Sequence, residues 1–275
     1  MRFGIALRTM GTAATGAILR ESASRAESAG LDTLWIPDHI AIPPDDAEGS
    51  GGRYLDPLST LAWLAAATSR IHLGTAVLIL PYRPALPTAK AIATIQDLSD
   101  ERLELGVGVG WMEAEFRAVG CKRRDRGRMS DETLAFLHAA FDAPDDVAVS
   151  NGQSFLFRPN PKRPRIWIGG AAPHAHARAA RYGDGWLPMT DDPDALRSPI
   201  AELAARFVAA GRAKPEVAVF GGLGRRPREE ELDRLAQLES LGVTEFIQGA
   251  RYEDLDGFQR ALDRLLDRRS ADRKR

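Results

Sequence analysis

Short β-rich runs alternate with longer stretches of helical spacing along the chain. Arg2 to Leu7 reads as a strand, Ile18 to Ala29 as a helix stopped by Gly30, and Thr33 to Ile36 as a second strand ended by Pro37. Asp56-Pro57 opens a helix that runs to Ser69, with the aspartate placed to cap it and the proline at the first turn, where its missing N–H costs nothing. Ile71 to Leu80 follows as a strand, Pro84 to Leu98 as a helix and Arg102 to Val107 as a strand. Met129 to Phe141 is helical, Phe155 to Phe157 belongs to a small hairpin, and Arg165 to Ile168 is the next buried strand. The rhythm then continues through helix Pro173 to Tyr182, strand Gly185 to Pro188, helix Pro193 to Ala210 and strand Glu216 to Phe220. It closes with helix Pro227 to Leu241, strand Glu245 to Ile247 and helix Leu255 to Arg268.

Eight strands each followed by a helix demand a parallel sheet with right-handed crossovers, either a doubly wound open sheet or a closed barrel. Eight units favour the barrel, so the expected fold is a single (β/α)8 TIM barrel over residues 1–275. Two segments interrupt the pattern. Ala41 to Arg53, rich in Pro, Gly and Asp, exceeds a routine connection and is a candidate lid, and Ala143 to Pro164 has the look of a short insertion.

Composition narrows the function. Lys and Arg number 37 against 38 Asp and Glu, a net charge of -1, so no global field recruits nucleic acid or an acidic membrane. Two local basic clusters remain. Arg268 to Arg275 reads as a frayed, solvated end, while Lys122 to Arg128 is either a solvated loop or a surface for an anionic ligand. The lone Cys121 excludes an internal disulfide and a cysteine-built zinc site, and agrees with a cytoplasmic protein; no metal is called for. No signal-like segment opens the chain and no run approaches the roughly 20 apolar residues of a membrane span.

Chemistry is expected at the C-terminal ends of the barrel strands. The second strand ends Trp35-Ile36-Pro37-Asp38-His39, which places an indole, a carboxylate and an imidazole at the rim. His39 is the candidate acid, base or hydrogen-bond donor, and Asp38 either assists it or merely forms the turn. The third strand, with Thr75, Ala76 and Val77, has small residues that let the backbone approach a flat ring. The fourth leads into Gly106-Val107-Gly108-Val109-Gly110-Trp111-Met112-Glu113. It lacks the third glycine of a dinucleotide turn, so the glycines are expected to clear floor space, with Trp111 as wall and Glu113 as polar contact. The fifth ends Gly169-Gly170-Ala171-Ala172-Pro173 and runs into a helix. That arrangement is either a phosphate cradle of free N–H groups at a helix N-terminus or a plain tight turn. A phosphate at one rim and a flat-ring floor at another describe a phosphorylated, flavin-like cofactor.

At these residues the chain resembles the luciferase-like monooxygenase superfamily, in particular its deazaflavin (coenzyme F-420)-dependent oxidoreductase branch. The segments that carry the resemblance are Leu34 to His39, Leu73 to Leu78, Leu103 to Phe116 and Ile166 to Trp186, in consistent order over nearly the whole chain. It implies a bacterial-luciferase-like barrel, usually a homodimer, that works on a small-molecule substrate with either F-420 in hydride transfer or FMN and oxygen. It also implies His39 beside the reactive ring carbon with Asp38 as its neighbour, Ala76-Val77 at a non-proline cis peptide behind the ring, and Gly169-Gly170 at the phosphate. The basic run Lys122 to Arg128 would then have the acidic tail of F-420 as a possible partner. One departure stands out. Sugar-phosphate dehydrogenases of the branch carry a glutamate directly after the last glycine of the fourth strand exit, where this chain has Trp111.

Overall fold

Eight parallel strand positions close on themselves in a computed structural model that describes residues 1–47 and 49–272. The barrel is built from β1 (Arg2–Ala6), β2 (Thr33–Ile36), β3 (His72–Thr75) with its continuation β4 (Leu78–Ile79), β5 (Leu103–Gly108), β8 (Arg165–Gly169), β9 (Gly185–Leu187), β10 (Glu216–Gly221) and β11 (Glu245–Gln248). Each pairs in parallel with the next in that order, and β11 pairs with β1 to complete the ring. Around it lie α1 (Gly16–Ser28), α2 (Pro57–Ala67), α3 (Ala85–Leu98), α5 (Arg126–Phe141), α6 (His174–Tyr182), α7 (Pro193–Ala209), α8 (Arg228–Ser240) and α9 (Leu255–Asp272). Asp56 caps α2, its carboxylate accepting from the Ser59 N–H at 2.8 Å. The insertion carries an antiparallel hairpin, β6 (Val147–Ser150) and β7 (Gln153–Leu156).

The expected third strand is not continuous: it breaks at Ala76-Val77, whose peptide bond is cis, and resumes as β4. A further helix, α4 (Glu113–Ala118), follows β5 and has no counterpart in the sequence reading. The basic tail is better anchored than a frayed end. Arg268 pairs with the buried Glu231 at 2.9 Å and Arg269 donates to the Gly30 carbonyl at 2.7 Å; Arg273, Lys274 and Arg275 lie outside the described residues. Among the described residues no helix is long and apolar enough to cross a membrane.

Two buried indoles fill the barrel interior. Trp35 and Trp167 meet edge to face at 6.0 Å. Each fits because the facing strand offers a glycine: a Cβ on Gly74 would come within 2.4 Å of the Trp35 ring, and one on Gly185 within 2.4 Å of the Trp167 ring. Below them the N-terminal end of the barrel is plugged with charge. Trp35 Nε1 donates to Glu245 and Trp167 Nε1 to Glu104, each at 2.8 Å, while Arg2 reaches both carboxylates and Arg165 pairs with Glu104. Burial raises the Glu104 carboxyl, but His72, Arg165 and Arg2 overcome it and hold the group down at about 2. Burial wins at Glu245, whose carboxyl is raised.

Candidate active site

The opposite, C-terminal end of the barrel opens into a cavity of about 460 Å³, within the usual range for a small-molecule site. Its floor is the Ala76-Val77 bulge between β3 and β4, and its walls include Gly108, Gly169, Gly170, Trp111 and the side chains of His39 and Glu115. The glycines serve the bulge. A Cβ on Gly108 would lie 2.5 Å from Val77 Cγ2 and one on Gly169 2.8 Å from Val77 Cγ1, so Val77 seats only because both side chains are missing. Gly170 has φ +117°, a conformation that suits glycine.

His39 follows β2 and is held from one side. Its Nδ1 lies 3.0 Å from Glu115 Oε2, and its ring packs edge-on against Tyr54 at 4.9 Å. Glu115 is only 1% exposed and its carboxylate gathers four donors. Oε1 accepts from the Ile40 and Ala41 N–H groups at 2.6 and 3.1 Å, and Oε2 takes the Tyr82 hydroxyl at 2.9 Å as well as His39. Burial pushes the Glu115 carboxyl up, yet the two N–H groups, His39 and Tyr82 outweigh it and hold it below the usual carboxylate range. Burial and the facing Glu115 in turn push the Tyr82 phenol well above its ordinary value, so Tyr82 remains a donor. A carboxylate accepts only, so the hydrogen bond assigns the proton to Nδ1 and leaves Nε2 as the nitrogen available to a ligand.

Several expected site residues have other tasks. Asp38 lines the cavity as expected but is 4% exposed and engaged: it accepts from the Ile79 N–H at 2.9 Å and from Arg83 at 2.6 and 2.9 Å, and Arg83 also meets Asp56 at 3.0 Å. It therefore ties the end of β2 to β4 and, through Arg83, to the start of α2, with both carboxylate oxygens engaged. Trp35 is not at the rim. Strand alternation turns it inward with Thr33, and its fully buried ring reaches only the floor of a second chamber described below. Thr75 is also fully buried, its hydroxyl donating to the Gly106 carbonyl at 2.6 Å behind the floor. Ala171 is exposed on the turn and not on the cavity wall. Glu113 is exposed, 3.8 Å from Arg123, and α4 carries Glu115 rather than Glu113 into the site. Trp111 does stand at the mouth, 65% exposed and 6.4 Å from the His39 ring. The Gly170 N–H is already donated to the Leu187 carbonyl at 3.2 Å, and the run Lys122 to Arg128 lies on neither cavity.

Sequence reasoning missed Glu115, Tyr82 and Arg83. The signal for the first was present in Trp111-Met112-Glu113-Ala114-Glu115-Phe116: two glutamates two apart on a helix face different ways, and the neighbour of the buried Phe116 is the inner one.

The family model of the luciferase-like monooxygenases matches residues 1–275. The chain belongs to that family. Membership makes it an oxidoreductase of the luciferase-like class. An uncharacterized protein of Mycobacterium tuberculosis is 32% identical over 285 residues, covering 96% of this chain and 97% of that protein. The F420-dependent glucose-6-phosphate dehydrogenase of Kineococcus radiotolerans is 32% identical over 185 residues, 62% of this chain and 51% of the relative. The FMNH(2)-dependent dimethylsulfone monooxygenase of Pseudomonas fluorescens is 29% identical over 177 residues, 61% of this chain and 48% of the relative. The family's two cofactor chemistries thus both occur among its relatives.

Proposed function

We propose that the protein transfers a hydride between coenzyme F-420 and a small organic substrate. The observation that carries this reading is the His39–Glu115 pair beside the Ala76-Val77 bulge. The residues present fit a flat ring: a floor raised by Val77 over two glycines, largely apolar walls and an imidazole at the edge. Gly169 and Gly170, bare of side chains, would leave room for the cofactor's phosphate beside the start of α6, with the Gly170 N–H kept on the Leu187 carbonyl; Trp111 would close one wall, and the cofactor when bound would supply the two-electron chemistry. The chain's own part is orientation, exclusion of water and a proton site at His39 Nε2, whose ring Glu115 fixes in one tautomer. Asp38 acts through Arg83 and the Ile79 N–H to hold the floor in register.

A second reading, an FMN monooxygenase using molecular oxygen, draws on the dimethylsulfone monooxygenase relative and on the same floor. Titration of the purified protein with each cofactor, followed by absorbance and fluorescence, separates the two. Binding of F-420 with weak or absent FMN binding is the expected result; tight FMN binding without F-420 binding sinks the first reading. We further propose a homodimer acting in the cytoplasm, for which light scattering of the purified protein at working concentration reads the assembly.

A further inference from the structure

A second chamber, about 730 Å³ in volume, lies against the first and shares Pro37, Ala76 and Phe220 with it. Its chemistry is different. Three arginines, Arg8, Arg225 and Arg251, line it, and no carboxylate does among the described residues. They come from the exits of β1, β10 and β11, strands that are neighbours in the barrel, so closure brings their charges to one arc of the rim.

Arg8 is fixed in place by donating to the Tyr252 and Gly49 carbonyls at 2.7 and 2.9 Å, neither of which neutralises it. Neither the Arg225 nor the Arg251 guanidinium has a hydrogen bond or ion pair among the described residues. The Arg225 side chain folds back over the end of β10, its Nε 3.4 Å from where a Cβ on Gly222 would stand. At the same end of the barrel Arg83 pairs with Asp38 and Arg234 with Asp191, whereas the arginines of the second chamber face no carboxylate among the described residues. Uncompensated guanidinium groups around a concave site are an anion-recognition arrangement, since their forked donors match carboxylate and phosphate oxygens.

We infer that the second chamber is a substrate subsite and selects molecules whose far end is an anion, a carboxylate or phosphate, while the reacting end reaches past Phe220 and Ala76 into the first cavity. This rests on the hydride-transfer reading for the reacting end and on the three arginines for the charged end. Arg225 and Arg251 are exposed and therefore hydrated, and an anion would replace that water with charged oxygens where a neutral substrate would not, so selectivity arises from charge as well as shape.

Calorimetric titration of the intact, cofactor-free protein with succinate and with inorganic phosphate, against neutral succinamide, reads the chamber directly. Both anions are expected to bind, more weakly as salt rises, and succinamide is not. Arg225→Gln/Arg251→Gln should weaken anion binding by at least about tenfold, with an unchanged melting curve and cofactor affinity within about twofold of the parent. Equal heats from the anions and succinamide, or anion binding that survives the double substitution, overturn the inference. So does a parallel loss of F-420 or FMN affinity, which would make the arginines a cofactor-phosphate site. A parent protein that binds neither cofactor defeats the hydride-transfer reading separately, because the anion titration needs no cofactor.

Discussion

Glu115→Gln is the substitution that most directly tests how the site is organised. The amide keeps one acceptor for the Ile40 and Ala41 N–H groups, now held at 2.6 and 3.1 Å, so the loop after β2 stays anchored. Its NH2 group, however, faces two donors, the Tyr82 hydroxyl and His39 Nδ1–H, which lie 2.9 and 3.0 Å from the present carboxylate. Loss of a charge-assisted hydrogen bond at a buried site is worth about 2–3 kcal/mol. If that energy fixes the imidazole for the transition state, kcat/KM falls about 30- to 150-fold, at about 1.36 kcal/mol per tenfold. Cofactor affinity stays near the parent value, because Glu115 acts on the ring of His39. The assay is initial rate from cofactor absorbance with a small hydroxy acid or keto acid as partner, run on Glu115→Gln, His39→Asn and the double variant. Since Glu115 works through His39, the double variant should be no more than about threefold slower than His39→Asn alone. Losses that multiply would refute the dyad.

Gly108→Ala should weaken cofactor binding by about tenfold or more, because the new methyl would stand 2.5 Å from Val77 Cγ2 and the floor must shift; equilibrium titration measures it. Glu113→Gln, at an exposed helix start, should leave kcat/KM within about twofold of the parent, and a large loss there would return Glu113 to the site. Asp38→Asn should cost about 3 kcal/mol of stability by leaving the half-buried Arg83 short of its partner, read as a lowered denaturation midpoint. Glu104 carries a pH signature. Its folded pKa is lowered to about 2, so its contribution is full above the unfolded value of 4.5 and drains as pH falls toward 2. Glu104→Gln is therefore expected to lose about 3 kcal/mol relative to the parent at pH 7, a gap that narrows below pH 4.5 in chemical denaturation; a gap independent of pH would refute the assignment.

The barrel was legible because each βα unit writes its own period and its own stops, Gly30 and Pro37 among them, and local patterns suffice to count units. The break at Ala76-Val77 was not visible as a change of pattern, since small and apolar residues continue through it to Leu78; only resemblance pointed to it. His39 was legible as an imidazole at a strand exit. Its partner was not, because α4 is six residues long, too short to display a period, and Glu113 and Glu115 are chemically identical until the helix turns one of them inward. The charged plug was hidden for a different reason. Arg2, Glu104, Arg165 and Glu245 each stand at or next to the start of a separate strand, and a single charge there reads as an edge in solvent. Only closure of the ring gathers them beneath Trp35 and Trp167.

That plug bears on function at the other end of the barrel. Glu104 and Glu245 hold the two indole N–H groups from below, and the rings, packed with Leu187, Ala218 and Ile247, occupy the interior up to Ala76 and Val77. The bulge therefore rests on close-packed, tethered side chains and cannot sink when a ligand presses on it, so binding energy is not spent on ordering a floor. The rim is the converse: Trp111 and Met189 stand exposed at the mouth, 65% and 82% open to solvent. Changes at the rim can then alter which molecule enters while the floor stays constant. Changes at Trp35, which underlies the second chamber and packs beside the bulge of the first, disturb both chambers at once.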